Sequence, residues 1–158
     1  QGKEIKGVDI NTAPFPGFPT DLQAPFTALM TIANGESKIT ETIFENRMNH
    51  IQLFKKMGAN IKLNKNVAYI KGVKAIKGMD LVGSDLRSSA ALIIAGIIAK
   101  GTSRIYGLEH LDRGYENFES KLKMLGVKIS RECNKRTNTG KEFKIDSESE
   151  DVQKLRAA

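Results

Sequence analysis

The chain has 158 residues, 40% hydrophobic and 27% charged, which is ordinary usage for a globular domain and too apolar for a wholly disordered chain. No apolar run reaches the ~20 residues that a spanning helix needs, and no charged-then-apolar leader opens the sequence. A net charge of +7 with 6% aromatics and one cysteine points to an anionic small molecule rather than nucleic acid or membrane as partner, and to a reducing, cytoplasmic setting.

Gln1 is not an initiator methionine, and the chain reads as cut or processed. Gly7 to Ile10 predicts a short strand. The Pro-rich stretch from Thr12 to Pro19 then delivers a helix over Asp21 to Asn34, with Thr20 or Asp21 as N-cap and Gly35 past its end. Ser37 to Phe44 alternates and is rich in β-branched residues, so a strand is expected. Arg47 to Met57 has helical spacing, with Met48, Ile51, Phe54 and Met57 inward and Gly58 as the stop. Asn60 to Leu63 and Val67 to Ile70 flank Asn64-Lys65-Asn66 as a hairpin.

The plan then repeats. Thr20-Asp21-Leu22 returns as Ser84-Asp85-Leu86, an offset of 64, and the stretch around Gly58 returns around Gly126, an offset of 68. Met79 to Val82 predicts a strand, Asp85 to Ala99 a helix capped by Ser84 or Asp85, and Ser103 to Tyr106 a strand. Tyr115 to Leu125 predicts a helix with Tyr115, Phe118, Leu122 and Leu125 inward, and Val127 to Ser130 a strand without an evident partner. The expected fold is α/β, two βαβαβ units over about residues 7–70 and 78–132. Residues 133–158 are polar, with large apolar residues only at Phe143, Ile145, Val152 and Leu155, and predict a flexible tail with a frayed helix near Glu150 to Ala157.

Three arginines carry the chemistry. Arg47 and Arg113 open predicted helices and Arg87 lies in the first turn of another. The start of a helix is partly positive, so a cation there costs a few tenths of a kcal/mol. An anion held by amides and guanidinium forks would account for the arrangement. Pairing with nearby acids such as Glu45 or Asp112 is the plainer alternative. Asp21, at the end of a loop stiffened by Pro14, Pro16 and Pro19, reads either as an ordinary N-cap or as a general base beside the arginines. His50 and His110 lack partners at ligand or triad spacing and read as surface or half-buried residues, Cys133 reads as an exposed bystander, and no metal or cofactor motif is present.

Thr12 to Gln23, Thr40 to Arg47, Ser84 to Ala90 and Leu111 to Glu116 resemble, in order and spacing, four signatures of the UDP-N-acetylglucosamine enolpyruvyl transferase family, over about residues 5–132. The resemblance implies part of an inverted α/β barrel, belonging to the C-terminal portion of a longer chain. It implies transfer of the enolpyruvyl group of phosphoenolpyruvate to the 3′-hydroxyl of UDP-N-acetylglucosamine, with release of phosphate, as the first committed step of peptidoglycan synthesis and without a cofactor. By position, Asp21 matches the proposed proton acceptor, Ile43 a nucleotide-sugar contact, and Arg47, Arg87 and Arg113 the arginines around phosphoenolpyruvate. The family's reactive-cysteine loop and second barrel have no counterpart here, so the chain alone is expected to be inactive and to need the N-terminal part of the same enzyme. The alternatives are a 3-phosphoshikimate 1-carboxyvinyltransferase-type enzyme and a non-catalytic polyanion-binding module.

Overall fold

The computed structural model of the chain describes residues 4–133 and 141–147. Two sheets of the same design stand one after the other in sequence. The first unit runs β1 (Ile10–Asn11), α1 (Gln23–Met30), β2 (Glu36–Thr40), α2 (His50–Lys56), β3 (Asn60–Asn64) and β4 (Val67–Lys71), with strand order β1-β2-β4-β3. The second runs β5 (Asp80–Val82), α3 (Leu86–Ile98), β6 (Thr102–Tyr106), α4 (Leu108–Asp112), α5 (Phe118–Met124), β7 (Ile129–Cys133) and β8 (Lys141–Asp146), with order β5-β6-β8-β7. In each unit the first two strands are parallel, joined across a helix, and the last two form an antiparallel pair.

The strand β8 corrects the expectation of a flexible tail from residue 133. It lies between β6 and β7, pairing Phe143 with Ile105 and Arg131, and is the counterpart of β4. Phe143 and Ile145 are buried, so two of the few large apolar residues in this stretch suffice to seat it. The predicted strand Val127 to Ser130 thereby gains its partner. The expected helix near Glu150 to Ala157 lies outside the described residues. Ser147, after β8, places its hydroxyl 2.6 Å from the carbonyl oxygen of Gly101. It thus fastens the end of the strand to the turn that follows α3.

The helix expected over Asp85 to Ala99 is found with those two residues as its caps, whereas α1, α2 and α5 are shorter than their hydrophobic periodicity suggests. Pro25 sits in the first turn of α1, where no intrahelical donor is lost, and residues 20–22 form a 3₁₀ turn ahead of it. α2 begins at His50, so Arg47 stands outside the helix rather than opening it. Leu108 and Leu111 bury one face of the unexpected α4, and Arg113 follows that helix at its C-cap. The last helix starts at Phe118, and Leu125, expected inward, is 78% exposed.

α1 and α3 pack against each other and join the units. Their buried faces carry Ala24 and Ala28 on one side and Ala90, Ala91 and Ala95 on the other, small residues that let the helix axes approach. Gly72 permits another close approach: a Cβ there would lie 1.6 Å from the carbonyl oxygen of Ala33. This packing brings the start of α3, with Arg87, beside the start of α1, with Asp21.

Candidate functional site

Asp21 and its repeat counterpart Asp85 do different work. Asp85 caps α3: its Oδ1 accepts from the amides of Arg87 (2.9 Å) and Ser88 (3.0 Å), and Ser88 completes a capping box. Asp21 caps nothing. Its Oδ1 accepts from Arg47 Nη1 at 3.2 Å and from Arg87 Nε. The Arg87 hydrogen bond is the main cause that holds the Asp21 carboxyl below the usual carboxylate range, with the charge of Arg47 adding to it against a desolvation cost. The side chain is 63% exposed, so the pair of arginines presents an accessible ionised carboxylate.

Both arginines line a cavity of about 620 Å³ that also takes in Thr20, Ile43, Phe44, His50 and Asp85. Asp21 itself does not line it. The carboxylate is held by the two guanidiniums that do. The Arg47 guanidinium lies 3.8 Å from the centre of the Phe44 ring, a cation–π contact. His50, expected at or near the surface, is buried, and burial holds its imidazole down at about 4, so it is neutral at physiological pH and adds no charge to the cavity.

Of the predicted site residues, Asp21, Ile43, Arg47 and Arg87 come together here. Arg113 does not line the cavity. Only Arg87 is in the first turn of a helix, so the helix-start argument applies to one arginine of the three. The acids also pair otherwise than expected. Asp112 binds the fork of Arg131 (2.7 and 2.9 Å) rather than Arg113, and Arg47 takes Asp21 rather than Glu45.

Glu41 is the residue the sequence reading passed over. It is 1% exposed and ionised: four hydrogen bonds outweigh desolvation and lower its carboxyl. A signal was available. Ser37, Ile39 and Glu41 share the inward register of β2 and its continuation, which puts a carboxylate where an apolar side chain belongs.

Two guanidiniums beside an apolar wall suit a carboxylate or phosphate anion. The comparison with known proteins agrees in class. The family described as EPSP synthase (3-phosphoshikimate 1-carboxyvinyltransferase) matches residues 1–122, and the chain belongs to that family. Within it, the chain is 81% identical over all 158 residues to the UDP-N-acetylglucosamine 1-carboxyvinyltransferase of Prochlorococcus marinus (strain MIT 9312), covering 35% of that protein. It is 52% identical over 129 residues, 82% of its length, to the enzyme of the same name from Synechocystis sp. (strain ATCC 27184 / PCC 6803 / Kazusa), of which it covers 30%. The chain therefore spans about a third of the length of these relatives. Among solved structures, the enolpyruvyl transferase NikO from Streptomyces tendae superposes with a TM-score of 0.69 at 28% identity, over 80% of this chain and 29% of that one. The fold is thus α/β of the enolpyruvyl-transferase type.

Proposed function

We propose that this chain supplies one wall of the active site of an enzyme that moves the carboxyvinyl group of phosphoenolpyruvate to the 3′-hydroxyl of UDP-N-acetylglucosamine and releases phosphate. The observation that carries the reading is Asp21 held between Arg47 and Arg87 beside an open cavity. The relatives' name supplies the acceptor.

In this reading the arginines first neutralise Asp21 and then exchange it for the incoming anion. A carboxylate with a lowered pKa is a weak base. As the substrate's carboxylate and phosphate take the guanidiniums, the basicity of Asp21 recovers. It can then accept the proton of the sugar hydroxyl while that oxygen attacks C2 and the C=C pair takes a proton at C3, giving a tetrahedral adduct that bears a methyl group. Loss of a proton from that methyl group re-forms the C=C bond as the C2–O bond to phosphate breaks, and the charge of the released phosphate stays opposite Arg47 and Arg87. Ile43, at the cavity wall, contacts the nucleotide sugar, and Arg113 enters by its motif match alone. Two anionic small molecules, phosphoenolpyruvate and UDP-N-acetylglucosamine, are the partners, together with the remaining two-thirds of an enzyme of the relatives' length, and the setting is cytoplasmic.

The test is phosphate release by a full-length enzyme carrying this chain, with each acceptor in turn. Turnover with UDP-N-acetylglucosamine and none with shikimate 3-phosphate is expected. The reverse preference would overturn the acceptor, and no turnover with either would overturn the reading.

A further inference from the structure

We propose that Glu41 is a positioning residue: it clamps the loop that carries Asp21 to the segment that carries Ile43 and Arg47, and through the Thr20 hydroxyl it aims Arg47 at Asp21. This rests on the carboxyvinyl-transfer reading above.

The geometry is a two-sided grip. On one side, Glu41 Oε1 accepts from the Thr12 hydroxyl (2.8 Å) and Oε2 from the Thr20 hydroxyl (2.7 Å), the two ends of the Pro-rich loop. On the other, Oε1 accepts from the amides of Ile43 (2.8 Å) and Phe44 (3.2 Å). The Glu41 backbone is pinned as well, its amide donating to the Asn66 carbonyl (2.9 Å) and its carbonyl accepting from Asn66 Nδ2 (2.6 Å). All four of the carboxylate's partners are neutral donors, so Glu41 does not serve as a counter-ion to any of them.

A carboxylate is acceptor-only, and this gives the chain of contacts a direction. The Thr20 proton must point at Glu41, which turns the hydroxyl's lone pairs toward Arg47, whose Nη1 donates to Thr20 Oγ1 at 2.9 Å and to Asp21 at 3.2 Å. Glutamine at position 41 keeps the shape and breaks the direction. Its oxygen would stay with the three donors at Oε1, and its NH₂ would face Thr20. The Thr20 proton would then have no acceptor except by turning toward Arg47, itself a donor.

The test is steady-state kinetics of the full-length enzyme carrying this chain, as wild type, Glu41→Gln, Thr20→Val and Thr20→Ser, over a range of pH. Glu41→Gln and Thr20→Val are each expected to lower kcat/KM for phosphoenolpyruvate by about 10- to 100-fold, the scale of a misplaced reacting geometry. The acid limb of the profile should move to higher pH in both, because Asp21 loses part of the Arg47 charge that keeps it ionised. Thr20→Ser, which retains the hydroxyl, should restore rate and profile. A purely structural contact would not move the acid limb. Wild-type rate and limb in Glu41→Gln and Thr20→Val would overturn the clamp, as would Thr20→Ser being as impaired as Thr20→Val. If Glu41→Gln does not fold, the Thr20 pair decides alone. An active wild type with unaffected variants sinks only the clamp, whereas an inactive wild type sinks the functional reading and the clamp with it.

Discussion

Asp21→Asn in a full-length enzyme carrying this chain should lower kcat by about 10² to 10⁴-fold, the usual contribution of a positioned proton acceptor. Asparagine keeps the size of the side chain and can still accept a hydrogen bond from Arg87 or Arg47, so the fold should persist. What it loses is the negative charge that both guanidiniums surround. Affinity for phosphoenolpyruvate should therefore stay level or tighten, because the incoming anion no longer displaces a carboxylate. That split between rate and affinity separates a base from a mere arginine holder. An unchanged kcat, or an affinity that falls in step with it, would remove Asp21 from the chemistry.

Phe143→Ala should destabilise the same enzyme by about 3–5 kcal/mol, the cost of emptying a fully buried aromatic site. Phe143 is 0% exposed in the central strand β8, with the Arg131 guanidinium 4.7 Å from its ring centre. That guanidinium is held in turn by Asp112, the last residue of α4, and by Glu119 in α5 (3.1 Å), so one aromatic ring underlies a tie between two helices and β7. Phe143→Leu should cost much less, since it fills most of the volume. The midpoint of urea unfolding is the measurement. A Phe143→Ala midpoint equal to wild type would mean that residues 141–146 do not hold the second sheet together.

Much of the architecture could be read from the sequence, and the failures have specific causes. The internal repeat is echoed in two sheets of matching strand order, and Asp85 behaves as the N-cap its position suggests. The same repeat carried the answer to β8, because the first unit ends in a hairpin and the second therefore needed a second strand. Charge density around Phe143 and Ile145 hid it: a central strand in a small sheet needs only its alternate residues to be apolar. α4 escaped notice because five residues are too few to show a helical period, although Leu108 and Leu111 mark its buried face.

The site was legible in its residues more than in its logic. Asp21, Arg47 and Arg87 do converge, but through one another rather than through helix starts, since Arg47 precedes α2 by three residues and only long-range packing of α1 on α3 brings Arg87 to Asp21. Pairing between residues 66 positions apart leaves no local trace. Glu41 left one, the inward register of its strand, which an eye for arginines passes over.

In the proposed mechanism Arg87 releases the Asp21 carboxylate and takes the substrate anion in its place. Calorimetric titration of phosphoenolpyruvate into the full-length enzyme and its Arg87→Ala variant tests this directly. A loss of affinity of about 10- to 100-fold is predicted, the worth of one charge-assisted fork. Equal affinity in the two proteins would contradict it.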